Sequence, residues 1–393
     1  MGIQLDDTIC AVATPSGVGG IGIVRLSGPQ SKRIASGVLK KENSVEKWEP
    51  RHLYLAKIID EKEELVDQVL GVWMPEGHSF TGEEVVEFHC HGNPYILERI
   101  LYLLSAAGAR FAERGEFTQR AFLNGKIDLT EAEGLLDLIH ASSSGSLSLA
   151  HAQHGGRIRT IFEEIRSELI NALAFLEVAI DFPHEPVEFL SHEEYLQRIF
   201  QIRRRLESLI SSGKSGRLIK QGVRVVIAGP PNAGKSTLLN ALIDDTRVIV
   251  SEKPGTTRDA IEVESFFDGM RYLFVDTAGL RETGDPIERM GIAQTEKQIE
   301  LADVILFVQD ILAPVEDPLL NDPRTITIWN KGDLLKEKKA EERLIISAKT
   351  REGLGQLQIL LTKKANPKPE ELREGILSSS RHIFLSTDAK AHL

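Results

Sequence analysis

The feature that most constrains this chain is the run VRVVIAGPPNAGKST at residues 223–237. A continuous apolar run suited to a buried strand passes into a Gly-rich turn and then into a helix start, TLLNALI. The turn matches G-x-x-x-x-G-K-S from Gly229 to Ser236, the pattern that cradles phosphates. Its glycines let backbone N–H groups face an anion at the positive end of a helix. Asn232, Ala233, Gly234, Lys235, Ser236 and Thr237 are therefore expected at a nucleotide. Lys235 is placed to reach the β- and γ-phosphates, and the Ser236 hydroxyl to ligate Mg²⁺. Strands and helices alternate on to about residue 364, as a doubly wound α/β unit requires.

Four further motifs follow in register. DTAG, Asp276 to Gly279 with Thr277 and Ala278 between, ends the strand YLFVDT. Asp276 suits the Mg²⁺ shell, and the Gly279 N–H suits the γ-phosphate. Asn330, Lys331, Gly332 and Asp333 end the strand TITIWN. A carboxylate at Asp333 can accept the N1–H and amino pair of guanine, which adenine cannot present. Ser347, Ala348 and Lys349 follow the expected strand RLIIS and can cover the base edge. GTTRD at 255–259 lies where a mobile threonine closes on Mg²⁺. Each motif alone is weak, but five in order predict a GTP-binding domain. Leu280 and Arg281 follow DTAG, so no Gln is present there to orient water. Glu282, Asp285 and Glu288 are the acids that could do so, and position alone does not choose among them. Asn232 could offer its amide oxygen to a monovalent cation.

At 393 residues the chain needs two to four domains by ordinary domain sizes. Residues up to about 120 read as mixed α and β. TICAVATPS, GGIGIVRLSG and LVDQVLGVWMPEG are strand-like, EEVVEFHCHG alternates around Val86, Phe88 and Cys90, and NPYILERILYLLSAAGAR is an amphipathic helix ending at Gly108. From about Asp128 to Ile210 the periodicity is helical. Thr130 with Glu133 resembles a capping box. SSGKSG at 211–216 reads as a flexible joint, and the stretch after NPKPE is weakly patterned. The net charge of −11 argues against nonspecific coating of nucleic acid. Cys10 and Cys90 are the only thiols, too few for a disulfide framework or a structural zinc site. His89 and His91 in FHCHG lack a further ligand cluster, so packing or hydrogen bonding is expected of them. No apolar run approaches a membrane span and no basic leader opens the chain, so a cytosolic, cytoplasmic protein is expected.

PNAGKST, GTTRD and DTAGLRE, set behind a helical segment, resemble the tRNA uridine-modification GTPase family MnmE, also called TrmE. So do ATPSGVGGIGIVRLSG, SFTGEEVVEFHCHG, RGEFTQRAFLNGKIDLTEAEGLLDLI and VAIDFP, and the matches run from residue 6 to about 365. The resemblance implies an α/β and α+β multidomain chain. A tetrahydrofolate-binding, dimer-forming α+β domain would occupy 1–124 and a helical domain 125–216. A Ras-like P-loop G domain would be inserted at 217–366, with the helical domain returning at 367–393. It implies work with the FAD-containing partner MnmG (GidA), placing a carboxymethylaminomethyl or aminomethyl group on C5 of the wobble uridine of certain tRNAs. The one-carbon unit would come from 5,10-methylene- or 5-formyl-tetrahydrofolate. Carried over by position, the family's K⁺ contacts fall on Asn232, Ser251, Lys253 (through its carbonyl) and Thr256. Its Mg²⁺ threonine falls on Thr257, its water-orienting glutamate on Glu288, and its folate contacts on Arg25, Glu87 and Lys126. In the family two G domains close on each other over the cation.

A GTPase switch that binds RNA or the ribosome would share the five motifs but lack RLSG, FTGEEVVEFHCHG and FLNGKIDL. Two departures from the family stand out. Members continue for some tens of residues to a terminal Cys-x-Gly-Lys, whereas this sequence ends at Leu393. The expectation is exposed apolar helical faces, retained GTP hydrolysis and impaired modification. Asn93 stands where Gly is expected after HCHG, which would stiffen a loop by the folate pocket. The basic run Arg203 to Arg205, with Lys214, Arg217 and Lys220, is a candidate contact for tRNA phosphates.

Overall fold

The computed structural model describes residues 6–181, 192–244, 262–276, 295–335, 343–365 and 377–392. The chain divides into two units, Met1–Ala132 and Glu133–Leu393.

In the first unit, strict alternation in EEVVEFHCHG produces a strand with two unlike faces. Strands β1 (Ile9–Val12), β2 (Gly22–Ser27), β3 (Tyr54–Ile59), β4 (Leu65–Met74), β5 (Val85–Cys90) and β6 (Arg110–Phe111) form one sheet in the order β3-β4-β5-β2-β1-β6. All neighbours run antiparallel except β1 and β6. Val24, Leu26, Val86, Phe88 and Cys90 face one way and share a core with Ile34 and Ala35 of helix α1 (Ser31–Val38) and Ile100 and Leu104 of α2 (Pro94–Ala106). The alternate residues Arg25, Glu87 and His89 lie on the face opposite that core. Asn93 is the N-cap of α2, its side chain accepting from Tyr95 N at 2.9 Å, with Pro94 in the first turn. Its role is thus to start a helix, not to stiffen a loop.

Helix α3 (Glu116–Leu123) carries a fully buried arginine. Arg120 Nη1 reaches Glu83 Oε1 at 3.1 Å and the Asp7 carbonyl at 2.9 Å, while Nη2 reaches the carboxylates of Asp7 and of Glu116, the latter at 3.0 Å. Arg110 pairs with the same two acids, at 2.6 Å each. Helix α4 (Leu129–His140) opens on a capping box at Asp128 and Glu131. The Asp128 carboxylate accepts from Glu131 N at 2.8 Å and the Glu131 carboxylate from Asp128 N at 2.7 Å. This corrects the Thr130–Glu133 reading. Asp outranks Thr as a cap, and Glu133 is engaged instead by Arg381 at 2.9 Å.

The second unit carries the helices α5 (Ser144–His154), α6 (Arg157–Asp181) and α7 (His192–Gln221). No joint interrupts α7 at 211–216, contrary to the composition of SSGKSG. Gly213 lies where an added Cβ would sit 2.6 Å from Ile383 Cδ1, so the glycine lets a neighbouring helix close in. Ser212 Oγ donates to Leu209 O at 2.6 Å and accepts from Leu377 N at 3.1 Å. The helix stops at Gly222 (φ +89), whose N–H meets Leu218 O at 2.9 Å. The basic run is largely consumed in pairs. Arg203 meets Glu207, Arg205 meets Glu164 and Glu168, Arg217 meets Asp303, and Lys220 meets Asp137.

After α7, strands β7 (Val223–Ala228), β8 (Glu262–Phe267), β9 (Met270–Asp276), β10 (Val304–Asp310) and β11 (Thr325–Asn330) form a sheet in the order β11-β10-β7-β9-β8. Only β8 is antiparallel to its neighbour. Helices α8 (Lys235–Asp244), α9 (295–301) and α10 (Leu354–Ala365) belong to this layered α/β part. The expected strand RLIIS is reduced to isolated bridges, Trp329 to Ile345 (parallel) beside β11 and Ser347 to Glu352 (antiparallel). The weakly patterned end forms α11 (Ser380–Ala391), which packs on α7.

Candidate functional site

Parallel strands β7, β9 and β11 end together at one edge of the sheet, where a doubly wound fold places its ligand. From the end of β7 the chain turns through 229–234 into α8. Gly229 (φ +139) passes so close to β10 that a Cβ there would sit 2.3 Å from Val308 O. Asn232 takes the left-handed conformation at φ +62, which Asn tolerates better than most residues. Gly234 (φ +93) would put a Cβ 2.3 Å from Asn330 Nδ2. These are backbone positions that residues other than glycine or Asn occupy only with strain.

Lys235, at the start of α8, is buried and arches back over its own loop, Nζ donating to Gly229 O at 3.1 Å and Pro230 O at 2.8 Å. Ser236 Oγ donates to Asp276 Oδ2 at 2.9 Å, joining the first turn of α8 to the end of β9. A hydroxyl and a carboxylate so placed are the hard oxygen donors Mg²⁺ takes. Thr237 follows them in the first turn of α8.

The base side is a clasp around Asn330. Its Nδ2 donates to Ala233 O at 2.9 Å, and its Oδ1 accepts from Ala348 N at 3.0 Å. One buried amide thus ties the phosphate loop to the 347–349 turn. Lys331 sits at φ +65 with Nζ 2.6 Å from Asp310 Oδ2. Asp333 accepts from Ser347 Oγ at 2.7 Å, and that bond holds its carboxyl below the usual carboxylate range. It is therefore an ionised acceptor at neutral pH, as two N–H donors of guanine need. Lys349 follows in the same turn. Ser251, Lys253, Thr256, Thr257, Thr277, Ala278, Gly279 and Glu288 lie outside the described residues, as do Glu282 and Asp285.

In the first unit, Arg25 and Glu87 face each other across β2 and β5 in direct register. Arg25 Nε reaches Glu87 Oε1 at 2.6 Å, and its guanidinium lies 5.6 Å from the Phe117 ring centre. The pair stays partly open, at 30% and 14% side-chain exposure. Lys126 donates to Gly77 O at 3.1 Å and packs its stem on Gly82. Among the described residues no three His, Cys, Asp or Glu groups cluster as a metal site. His91 instead binds Asp67, at 2.7 Å. Burial raises the thiols to about 11 for Cys10 and about 12 for Cys90, which makes them poor nucleophiles at neutral pH. Sequence reading missed the Asn330 clasp and the Arg120 cluster, because both depend on residues far apart in the chain.

A phosphate loop at a strand–helix turn, an Mg²⁺-type serine–aspartate pair and an ionised aspartate on the base side define a P-loop GTP-hydrolysing enzyme. A family model described as the GTP-binding protein TrmE N-terminus matches residues 8–126, and one described as the MnmE helical domain matches 129–393. The "tRNA modification GTPase MnmE" of Carboxydothermus hydrogenoformans is 40% identical over 96% of this chain and 87% of its own length. The protein of the same name from Heliobacterium modesticaldum is 41% identical over 99% of this chain and 89% of its own. The chain belongs to the MnmE family of tRNA modification GTPases. Among solved structures, the G domain of the T. maritima FeoB iron transporter matches 37% of this chain and 99% of its own at 24% identity, with a TM-score of 0.29. No described helix is long and apolar enough to cross a membrane.

Proposed function

We propose that this chain is the GTP-hydrolysing component of a complex that adds a carboxymethylaminomethyl or aminomethyl group to C5 of the wobble uridine in certain tRNAs, drawing on a folate one-carbon unit. The observation that carries this reading is the partly open Arg25–Glu87 pair, borne by the same chain as the Asn330 clasp and the Ser347–Asp333 bond of the guanine side. Glu87 suits the amino and ring N–H groups of a pterin. Arg25 and Lys126 suit carboxylates. The division is a folate-binding part at 1–124, helical parts at 125–216 and 367–393, and a G domain at 217–366. The chain acts as a cytoplasmic homodimer with the FAD protein MnmG (GidA) and tRNA.

Within the GTP site, Lys235 meets the β- and γ-phosphates, backbone N–H groups of 232–237 hold the phosphate oxygens, and Asp333 selects guanine. Ser236 and Thr257 would hold Mg²⁺, with Asp276 in its outer shell. Asn232, Ser251, Thr256 and the Lys253 carbonyl would hold K⁺. Bound there, the two cations offset charge that develops on the transferred phosphoryl group. Glu288 orients the attacking water, a task that Leu280 and Arg281 cannot perform. Closure of two G domains seals the site.

The reading is tested by nucleoside mass spectrometry on tRNA from cells whose sole member of this family is this chain. Appearance of the modified wobble uridine supports it. Its absence, with folded protein that hydrolyses GTP, reduces the chain to a GTPase uncoupled from tRNA chemistry. At the residue level, Glu288→Ala should leave GTP affinity intact and slow hydrolysis by ~10²-fold or more. An unaltered single-turnover rate removes Glu288 from the mechanism.

A further inference from the structure

The open face of the first sheet carries a third polar group that the Arg25–Glu87 pair does not satisfy. His89 lies on β5 two residues beyond Glu87 and on the same face. Its cross-strand partners are Ile23 on β2 and Leu70 on β4, neither of which has a polar side chain. His89 Nε2 is shielded from solvent and has no hydrogen-bond partner among the described residues. Glu87 Oε2 lies 3.6 Å from it, beyond hydrogen-bond reach. Meanwhile Glu87 Oε1 is held by Arg25 at 2.6 Å. A shielded, unsatisfied ring nitrogen is costly unless something completes it.

We propose that His89 Nε2 is a further ligand contact in this site, donating to the ring carbonyl of a pterin whose N–H groups Glu87 accepts. This rests on the folate reading above and deepens it. The aminopyrimidinone edge of a pterin presents an amino group, a ring N–H and a carbonyl oxygen in a row. A carboxylate satisfies the first two, and the third then needs a donor beside the carboxylate on the same surface. His89 stands at that place. Its Nε2 carries the proton in this arrangement, and no net charge is required of the ring. Ile23 and Leu70 flank it and give a flat ring an apolar bed.

The experiment is isothermal titration of the whole chain with 5-formyltetrahydrofolate. It compares the unaltered protein with His89→Leu, His89→Gln and Glu87→Ala. Leucine keeps the bulk and removes the donor, so affinity should fall about 10-fold with an unchanged melting temperature. Glutamine retains an N–H donor and should hold affinity to within about 3-fold. Wild-type affinity in His89→Leu alongside lost binding in Glu87→Ala overturns the role of His89 and leaves the folate reading standing. No binding by the unaltered protein overturns both. Should His89→Leu fail to fold, the ring ¹⁵N resonances of the unaltered protein decide. The His89 signal, assigned from its loss in His89→Gln, must shift on ligand addition, and a stationary signal overturns the proposal.

Discussion

Gly234 shows how a single missing Cβ holds the nucleotide site together. It sits at φ +93, and the space a side chain would need is filled by Asn330 Nδ2. Gly234→Ala would strain the backbone by about 1–2 kcal/mol and push out the amide that clasps Ala233 and Ala348. Loss of that clasp adds about 1–3 kcal/mol, so GTP affinity should fall on the order of 10²-fold or more, measured with a fluorescent GTP analogue. Asp333 governs identity rather than grip. The Ser347 hydroxyl donates to its carboxylate and holds it below the usual carboxylate range, and Asp333→Asn replaces an acceptor with a group that is half donor. GTP binding should weaken by ~10²-fold or more while xanthosine triphosphate gains, since xanthine offers a carbonyl where guanine has its amino group. Competition titration of the two nucleotides checks this, and equal GTP affinity in both proteins would remove Asp333 from base recognition.

At the scale of elements, the β8–β9 hairpin is docked by glycine on both sides. Gly145, in the first turn of α5, donates to Gly269 O at 2.9 Å, and a Cβ on Gly145 would meet that oxygen at 2.8 Å. Gly269 (φ +71) has Ser144 Oγ 2.7 Å from where its own Cβ would stand. Because β9 ends in Asp276, this contact braces the strand that carries one of the Mg²⁺-type oxygens. Gly145→Val should overpack the contact and destabilise by about 1–3 kcal/mol, read as a lower melting temperature of the nucleotide-bound protein. The G domain was legible in the sequence because its motifs sit at fixed distances from strand ends and must occur in order. The first sheet was legible where one face alone is covered, as in Val85–Cys90, whereas the Arg25–Glu87 register was not, since pairing between strands some sixty residues apart leaves no local pattern. What stayed hidden shares one cause. α11 buries His382 and Ser386 rather than an apolar stripe, so periodicity gives it no signal. SSGKSG carries a glycine inside a helix because α11 approaches α7 closely at Gly213. The cap at Asp128 was displaced by two residues because Glu133 is claimed by Arg381, 248 positions away.

At the scale of the whole molecule, the first unit should respond to acid, and the Arg120 cluster is the reason. Burial alone would raise the Asp7 and Glu116 carboxyls, but hydrogen bonds from Arg110 and Arg120 outweigh it and hold both below their usual range. Groups whose folded pKa lies below the unfolded value stabilise the fold at any pH above the unfolded values of about 3.9 and 4.3. That stabilisation is lost as pH falls through the folded values. Residues 6–132 should therefore lose amide-exchange protection progressively below about pH 4, and constant protection down to pH 3 would show the cluster to be energetically idle. Arg120→Met supplies the complementary case. With the fully buried guanidinium gone, Asp7, Glu83 and Glu116 remain as crowded carboxylates with only Arg110 to answer two of them. The loss should be about 3–5 kcal/mol at neutral pH. Protonation relieves the unpaired acids in the variant while it dismantles the pairs in the parent. The difference between the two proteins should accordingly narrow as pH falls below about 4, and a gap independent of pH would assign the effect to lost packing rather than to charge.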